Sequence, residues 1–540
     1  MDGAGALRAA VADVESGRCD RAAALCRLTE ADLDDVLHGS FVGRAHRVLA
    51  TALGASPGAA TGKVCFSTDE AADRADQGDR VLLIKAETSP EDVHGMQVAD
   101  GIITTRGGLA SHAAVVARGW GIPAVVGADA IDLREGELEV AGVRVKAGDV
   151  LSIDGATGEV ILGALEVSDA GPPPELGVVL GWADDVRRGR LAVLANADCA
   201  EDAALARRFG AEGIGLCRTE HLFLGERIDI IRRAILAVDS QAEAAALDEL
   251  GELQRQDLTA LLEVMDGLPV AVRLLDPPLH EFLPDLAELA VGEALGTLTG
   301  DETTLLDAAR SWAEHNPMLG VRGVRLGLLR PGIYRMQLRA LVRAVADRLR
   351  AGGDPHAEVL VPLTVDAGEL AAMEVMLAEM LVEAGEDGQS AADRLPLATM
   401  IETPRAVLLA GELAMHAGTF SIGTNDLTQL TYGFSRDDVS ARLLPAYIDQ
   451  GLLPGDPFAT LDADGVGELV RMTVMRGRAA RPDLLVTVCG EHGGDPDSIR
   501  VLLSCGVDAV SCSPYRVPIA RLAAAQAILG EMDPSSLAGP

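Results

Sequence analysis

The chain has 540 residues, 48% of them apolar, and a formal net charge of −36 at neutral pH. That length exceeds what one hydrophobic core usually serves, so more than one domain is expected. The charge argues against nucleic acid as a partner, because phosphate backbones are held by a surplus of Lys and Arg.

No run of eighteen apolar residues occurs, and Met1-Asp2-Gly3 does not open a basic-then-hydrophobic leader. Neither a membrane span nor secretion is expected. Eight cysteines without a CxxC pair fit a reducing cytoplasm better than a disulfide or zinc framework. Only Lys63, Lys85 and Lys146 stand among 46 basic residues, and there is no GxxxxGKS/T loop, so an ATP site is not expected in this chain.

Residues 1–48 read as short amphipathic helices, with helical spacing from Arg21 to Leu28 and from Glu30 to Leu37. Residues 49–165 alternate short apolar runs (Arg80 to Ile84, Gly101 to Thr105, Ala124 to Val126, Asp149 to Ile153) with turns and one long helix, which predicts a compact α/β domain. In Thr104-Thr105-Arg106-Gly107-Gly108-Leu109-Ala110-Ser111-His112, a strand meets two glycines, and Ser111 is a good N-cap for a following helix. His112 then stands at the positive end of a helix, where an imidazole could accept a phosphoryl group. The structural alternative is a histidine packed at a strand–helix turn.

Residues 166–188, with Gly171-Pro172-Pro173-Pro174, predict a stiff, extended linker. Residues 189–533 carry eight buried-type strands near 191–195, 213–217, 270–274, 359–363, 397–401, 419–423, 484–489 and 508–512, with helical stretches between them. That alternation predicts a (β/α)8 TIM barrel, whose chemistry gathers at the C-terminal ends of its strands. A helical insertion, 285–350, lies between the third and fourth strands. The predicted strand ends carry Arg218, Arg273, Glu402, Gly423, Thr424, Asn425, Asp426 and Cys489.

Glu402 and Asp426 offer hard oxygen ligands suited to Mg²⁺, or else cap the helices that follow them. Arg218, Arg273, Arg322 and Arg436 offer forked donors to phosphate or carboxylate; arginine on a solvated face is the alternative. Cys489 is either a proton donor or an inert buried thiol. A metal, clustered arginines and a weak acid together suit chemistry through an enolate, with charge stabilised on oxygen and a proton delivered to carbon. The residues therefore read as a site for phosphoryl transfer between a small phosphorylated enol and His112.

The segments TTRGGLASHAAVVARGWGIPAVVG, GIGLCRTEHLF, VRLLDPPLHEFLP, NPMLGVRGVRLG, MIETPRAVLLAGELA, FSIGTNDLTQLTYGFSRDD, CGEHGGDPDSIR and VSCSPYRVPIARLAAAQ closely resemble the pyruvate, phosphate dikinase family. Phosphoenolpyruvate (PEP) synthase and enzyme I of the sugar phosphotransferase system share the outline. DPPLHEFLP and SPYRVPIARLAAAQ are dikinase-like.

The resemblance implies that His112 is the phosphorylated histidine of a swivelling domain, with 166–188 as its tether. It implies that Arg218, Arg273 and Arg322 grip PEP or pyruvate, that Gly423, Thr424 and Asn425 contact substrate, and that Arg436 lies close by. Glu402 and Asp426 would bind Mg²⁺, and Cys489 would protonate the enolate. Homodimerisation through the barrel is implied as well.

The family carries an ATP-grasp domain before the histidine domain, and 1–48 resembles only the last helices of that region. Three expectations follow: a half-enzyme served by a separate ATP-grasp nucleotide-binding protein, a non-catalytic PEP- or pyruvate-binding paralogue, or a reading frame that begins upstream. A role like that of enzyme I, with a carrier protein, is disfavoured because no helical insertion interrupts 50–165.

Overall fold

The computed structural model describes residues 3–42, 47–88, 92–108, 111–134, 136–168, 171–223, 227–237, 239–284, 286–440 and 442–532. Eight parallel strands close into a barrel: Ala192–Asn196, Ile214–Arg218, Pro269–Arg273, His356–Val361, Leu397–Ile401, Thr419–Ile422, Leu485–Val488 and Ala509–Cys512. Each lies within a few residues of its predicted span. Strands covered on both faces are largely apolar, and Leu397–Ile401 and Ala509–Cys512 are buried at every position, with the hydroxyls of Thr399 and Ser511 hydrogen-bonded to Thr364 and Asn196. The insertion after the third strand forms helices Leu286–Leu295, Gly300–Trp312, Gly323–Leu329 and Pro331–Arg350.

The α/β domain is built on an eight-stranded mixed sheet. Its centre is parallel: Ala59–Cys65, Val81–Lys85, Gly101–Thr104 and Ala124–Val126. Strands Val48–Thr51, Leu53–Ser56, Val150–Asp154 and Glu159–Leu162 join it antiparallel. Several of these, and the three-stranded sheet of Asp132–Arg134, Glu137–Val140 and Val143–Lys146, escape the sequence pattern because they are short and half-polar.

Helix His112–Trp120 starts as predicted. The Ser111 hydroxyl accepts from the Ala114 N–H, and Gly121 ends the helix in the left-handed region at φ 66°. The His112 side chain, Leu109 and Ala110 lie outside the described residues.

One expectation needs correction. The extended linker is confined to its first residues: from Pro174 the chain is helical to Arg187, because Pro at the first helical position costs no hydrogen bond. Leu176, Val179 and Trp182 of this helix join Leu7, Leu25 and Leu33 of the N-terminal helices and Ile519 and Leu522 of the last barrel helix in one cluster. The N-terminal helices Gly3–Glu15, Arg21–Arg27 and Glu30–Leu37 thus pack on the barrel's last helix through this cluster. Among the described residues no helix is long and apolar enough to cross a membrane.

At the end of the third of these helices, burial raises the Asp34 carboxyl from 3.8 to about 6, against the attraction of Arg516. Burial and Arg516 lower His38 from 6.5 to about 4. The Asp34 contribution to stability is present below pH 3.8 and lost as pH rises through about 6. The His38 contribution is present above pH 6.5 and lost as pH falls through about 4, so the two oppose each other. Asp34→Asn is expected to leave a protein that loses up to ~2 kcal/mol as pH falls across this window. His38→Asn should show the reverse slope, losing stability as pH rises. Urea unfolding followed by tryptophan fluorescence checks both, Trp182 being part of the same cluster.

Candidate active site

The C-terminal ends of the barrel strands converge on a charged cluster set above an apolar plug of Leu216, Leu360, Ala398, Met400 and Cys489. Arg218 and Arg273 lie opposite each other at the ends of the second and third strands. Arg273 is buried against Glu220, and its Nη1 is 3.1 Å from Asp276. Asp276 also receives Arg322, at 3.2 Å from Nε and 2.5 Å from Nη2. The other edge of the Arg322 guanidinium reaches the Asp426 carboxylate at 3.3–3.4 Å. Arg322, distant in sequence and 5% exposed, is carried in by the loop before helix Gly323–Leu329.

Burial works against the charge on Arg273, Arg322 and Asp276, and mutual pairing outweighs it. Arg273 is held above its ordinary value by Glu220 and Asp276, and Arg322 by Asp276 and Asp426. Asp276 is held below its ordinary value by the two arginines. Two atoms are left over: Arg273 Nε and Glu220 Oε2 are buried without a hydrogen-bond partner. Unspent donors on a buried guanidinium are what an anionic ligand would engage.

Glu402, 1% exposed, follows the fifth strand. Its Oε1 accepts from the Leu363 N–H at 2.6 Å. Leu363 takes φ 57°, a left-handed conformation that costs a residue with a side chain ~1–3 kcal/mol and here aims the amide at the carboxylate. Gly423 must lack a side chain, since a Cβ would stand 2.6 Å from Glu402 Oε2. Burial first, then the carboxylates of Asp426 and Asp276, raise Glu402 to about 8. Crowded, mutually repelling carboxylates are relieved by a divalent cation, and two hard oxygen donors suit Mg²⁺. The donor set therefore fits the expected ion. Among the described residues no group of three or more His, Cys, Asp or Glu is arranged to hold a metal.

Thr424 and Asn425 open helix Thr424–Tyr432. Burial keeps His492 below its ordinary value, hence neutral; its Nε2–H donates to the Pro457 carbonyl at 2.9 Å, and its Nδ1 accepts from the Thr424 hydroxyl at 2.8 Å. Asn425 Oδ1 accepts from the Glu491 N–H at 3.3 Å. Cys489 sits at the end of the seventh strand, 2% exposed, with Sγ 3.6 Å from the Ile422 carbonyl. Burial pushes its thiol up to about 11, so it carries its proton at neutral pH.

Arg436 stands beside the chain that follows Cys489. It lines a cavity of about 220 Å³ with Arg118, Asn196, Asp456, Glu491, Ser513 and Arg516. Sequence reading missed Asp276 and Glu220, which orient the arginines, and Asp198. The last accepts from the Arg218 N–H at 2.6 Å and pairs with His221 at 2.8 Å. Asp276 and Glu220 stand within motifs already singled out, just past the strand ends, where an acidic residue beside arginines was the available signal.

Arginines, carboxylates and a protonated thiol thus stand together at the mouth of a closed parallel barrel, joined to a smaller α/β domain with a helix start at His112. The model of the PEP-binding domain of PEP-utilising enzymes matches residues 176–529, and that of their mobile domain matches 77–158. The chain belongs to the PEP-utilising enzymes. It is 46% identical over 535 residues to pyruvate, phosphate dikinase 1 of Arabidopsis thaliana, covering 98% of this chain and 55% of that protein. It is 47% identical over 536 residues to the chloroplastic dikinase of Mesembryanthemum crystallinum, covering 97% and 56%. The dikinase of Rhizobium meliloti is 46% identical over 533 residues, covering 97% and 58%. The chain thus spans somewhat over half the length of these curated relatives.

Proposed function

We propose that this chain performs the pyruvate half of a dikinase-type phosphotransfer, PEP + His112 ⇌ pyruvate + phospho-His112. The observation that carries the reading is the convergence of Arg273, Arg322, Glu402, Asp426 and Cys489 at one barrel mouth. Arg218, Arg273 and Arg322 hold the phosphate and carboxylate of PEP, with Gly423, Thr424 and Asn425 against the substrate and Arg436 nearby. Glu402 and Asp426 would hold Mg²⁺, which when bound would offset negative charge on the substrate oxygens. The bond from phosphorus to the enol oxygen breaks as one to the His112 imidazole forms. The Cys489 thiol then gives its proton to the methylene carbon and recovers one from solvent.

A separate ATP-grasp nucleotide-binding protein would complete the reaction in this reading, and the chain would act as a cytoplasmic homodimer joined through the barrel. The test is incubation with Mg²⁺ and PEP labelled on phosphorus. Label should enter the protein, and His112→Ala or a chelator should abolish it. A folded protein that binds pyruvate by calorimetry but takes no label would instead be a PEP- or pyruvate-binding paralogue.

A further inference from the structure

The chain enters the α/β domain after Ser40–Phe41 and leaves it at Val167–Ser168. These two segments pair antiparallel, Ser40 opposite Ser168 and Phe41 opposite Val167. On either side of this ribbon the chain is fastened to the barrel wall, by helix Glu30–Leu37 before it and helix Pro174–Arg187 after it. Such a zipped double crossing lets the domain between the crossings turn as one body while its base stays fixed.

Beside the ribbon, one barrel side chain meets both the base and the moving body. Tyr515, just beyond the eighth barrel strand, stacks on the His38 ring with centroids 5.3 Å apart and planes at 28°. Phe209 packs against the Tyr515 ring with centroids 5.7 Å apart. Gly121, the C-cap of the helix that begins at His112, lies against Tyr515, so that a Cβ there would stand 2.2 Å from the ring's Cε2. His38 in turn lies under Gly58 of the α/β domain, where a Cβ would be 3.3 Å from the His38 Cβ. Arg118 of the same helix donates to the Ala55 carbonyl of its own domain at 3.2 Å and lines the 220 Å³ cavity together with Glu491, Asp456, Arg436 and Arg516 of the barrel. A flat aromatic surface against a bare glycine gives close contact without interlocking side chains, which suits a contact made and broken repeatedly.

We propose that Tyr515, backed by His38 at the hinge, is the seat on which the phosphohistidine domain docks to bring His112 to the barrel mouth. Tyr515 is a positioning residue: it acts through the helix that carries His112 and does not touch the substrate. This inference rests on the proposed function for its kinetic consequence and on the contacts above for its structural one.

Tyr515→Ala removes the seat, whereas Tyr515→Phe keeps the ring. By rapid quench, single-turnover labelling of His112 from PEP should slow about tenfold or more in the alanine variant and stay near wild type in the phenylalanine variant. Pyruvate affinity by calorimetry should be unchanged in both, and small-angle X-ray scattering should show the alanine variant expanded. Equal labelling rates in wild type and Tyr515→Ala overturn the proposal, as does a loss of pyruvate affinity that accounts for the slower rate. If the wild type takes no label, it is the proposed function that falls. Scattering then decides the seat alone, and identical profiles for wild type and Tyr515→Ala overturn it.

Discussion

Asp276→Ala is expected to be among the most damaging single changes at the barrel mouth. Asp276 is 4% exposed and shared by two buried guanidinium groups, Arg273 and Arg322. Removing it strands positive charge in a region from which water is excluded, and breaking one partner out of a buried ion cluster costs ~3–5 kcal/mol. The first measurement is the urea midpoint, which should fall steeply. Asp276→Asn keeps the volume and some of the hydrogen bonding, so it should lose less stability. It should still label His112 more slowly, because Arg322 would no longer be drawn away from Asp426 by a charged partner. An Asp276→Ala protein with wild-type stability would show that the arginines find their counter-charge elsewhere.

Cys489→Ala should separate binding from chemistry. The thiol is the one group in the apolar plug able to give a proton, and burial keeps it protonated well above neutral pH. Its removal leaves a small void and no charge, so stability should change by only ~1 kcal/mol. Pyruvate formation should fall by about 10²–10⁴-fold, the usual worth of a positioned general acid. PEP affinity, which the proposed function assigns to the arginines, should be little altered. Exchange of the pyruvate methyl hydrogens with deuterated solvent, followed by NMR, reads the reverse proton transfer and should be lost in parallel. Retained exchange would assign the proton to another group.

The barrel was legible because parallel strands covered on both faces are largely apolar, and eight such runs punctuate residues 189–533. The smaller domain was only partly legible. Its central strands are apolar runs of the same kind, but Asp132–Arg134 and Val143–Lys146 have exposed positions and too few residues for a clear alternation. The linker was misread because three prolines in a row suggest an extended chain, whereas the last of them begins a helix whose apolar face finds a partner in the N-terminal helices.

At the site, residue types at strand ends were enough to nominate Arg218, Arg273, Glu402, Asp426 and Cys489. Their chemistry is intrinsic, and the fold places strand ends together. Local sequence also accounts for the helix that starts at His112, since Ser111 and Gly121 are caps that act within a few residues of themselves. The carboxylates that hold the arginines were not nominated. An acidic side chain reveals its role only through what lies within a few ångströms, and Asp276 is 46 residues from Arg322 in sequence. Tertiary structure alone decided that pairing. It also decided the strained Leu363 amide aimed at Glu402, and the meeting of Gly121, His38 and Tyr515 from three separate stretches of chain. Periodicity and capping are short-range and survive in a linear reading, whereas charge neutralisation and ring contact depend on distances that exist only once the chain has closed on itself.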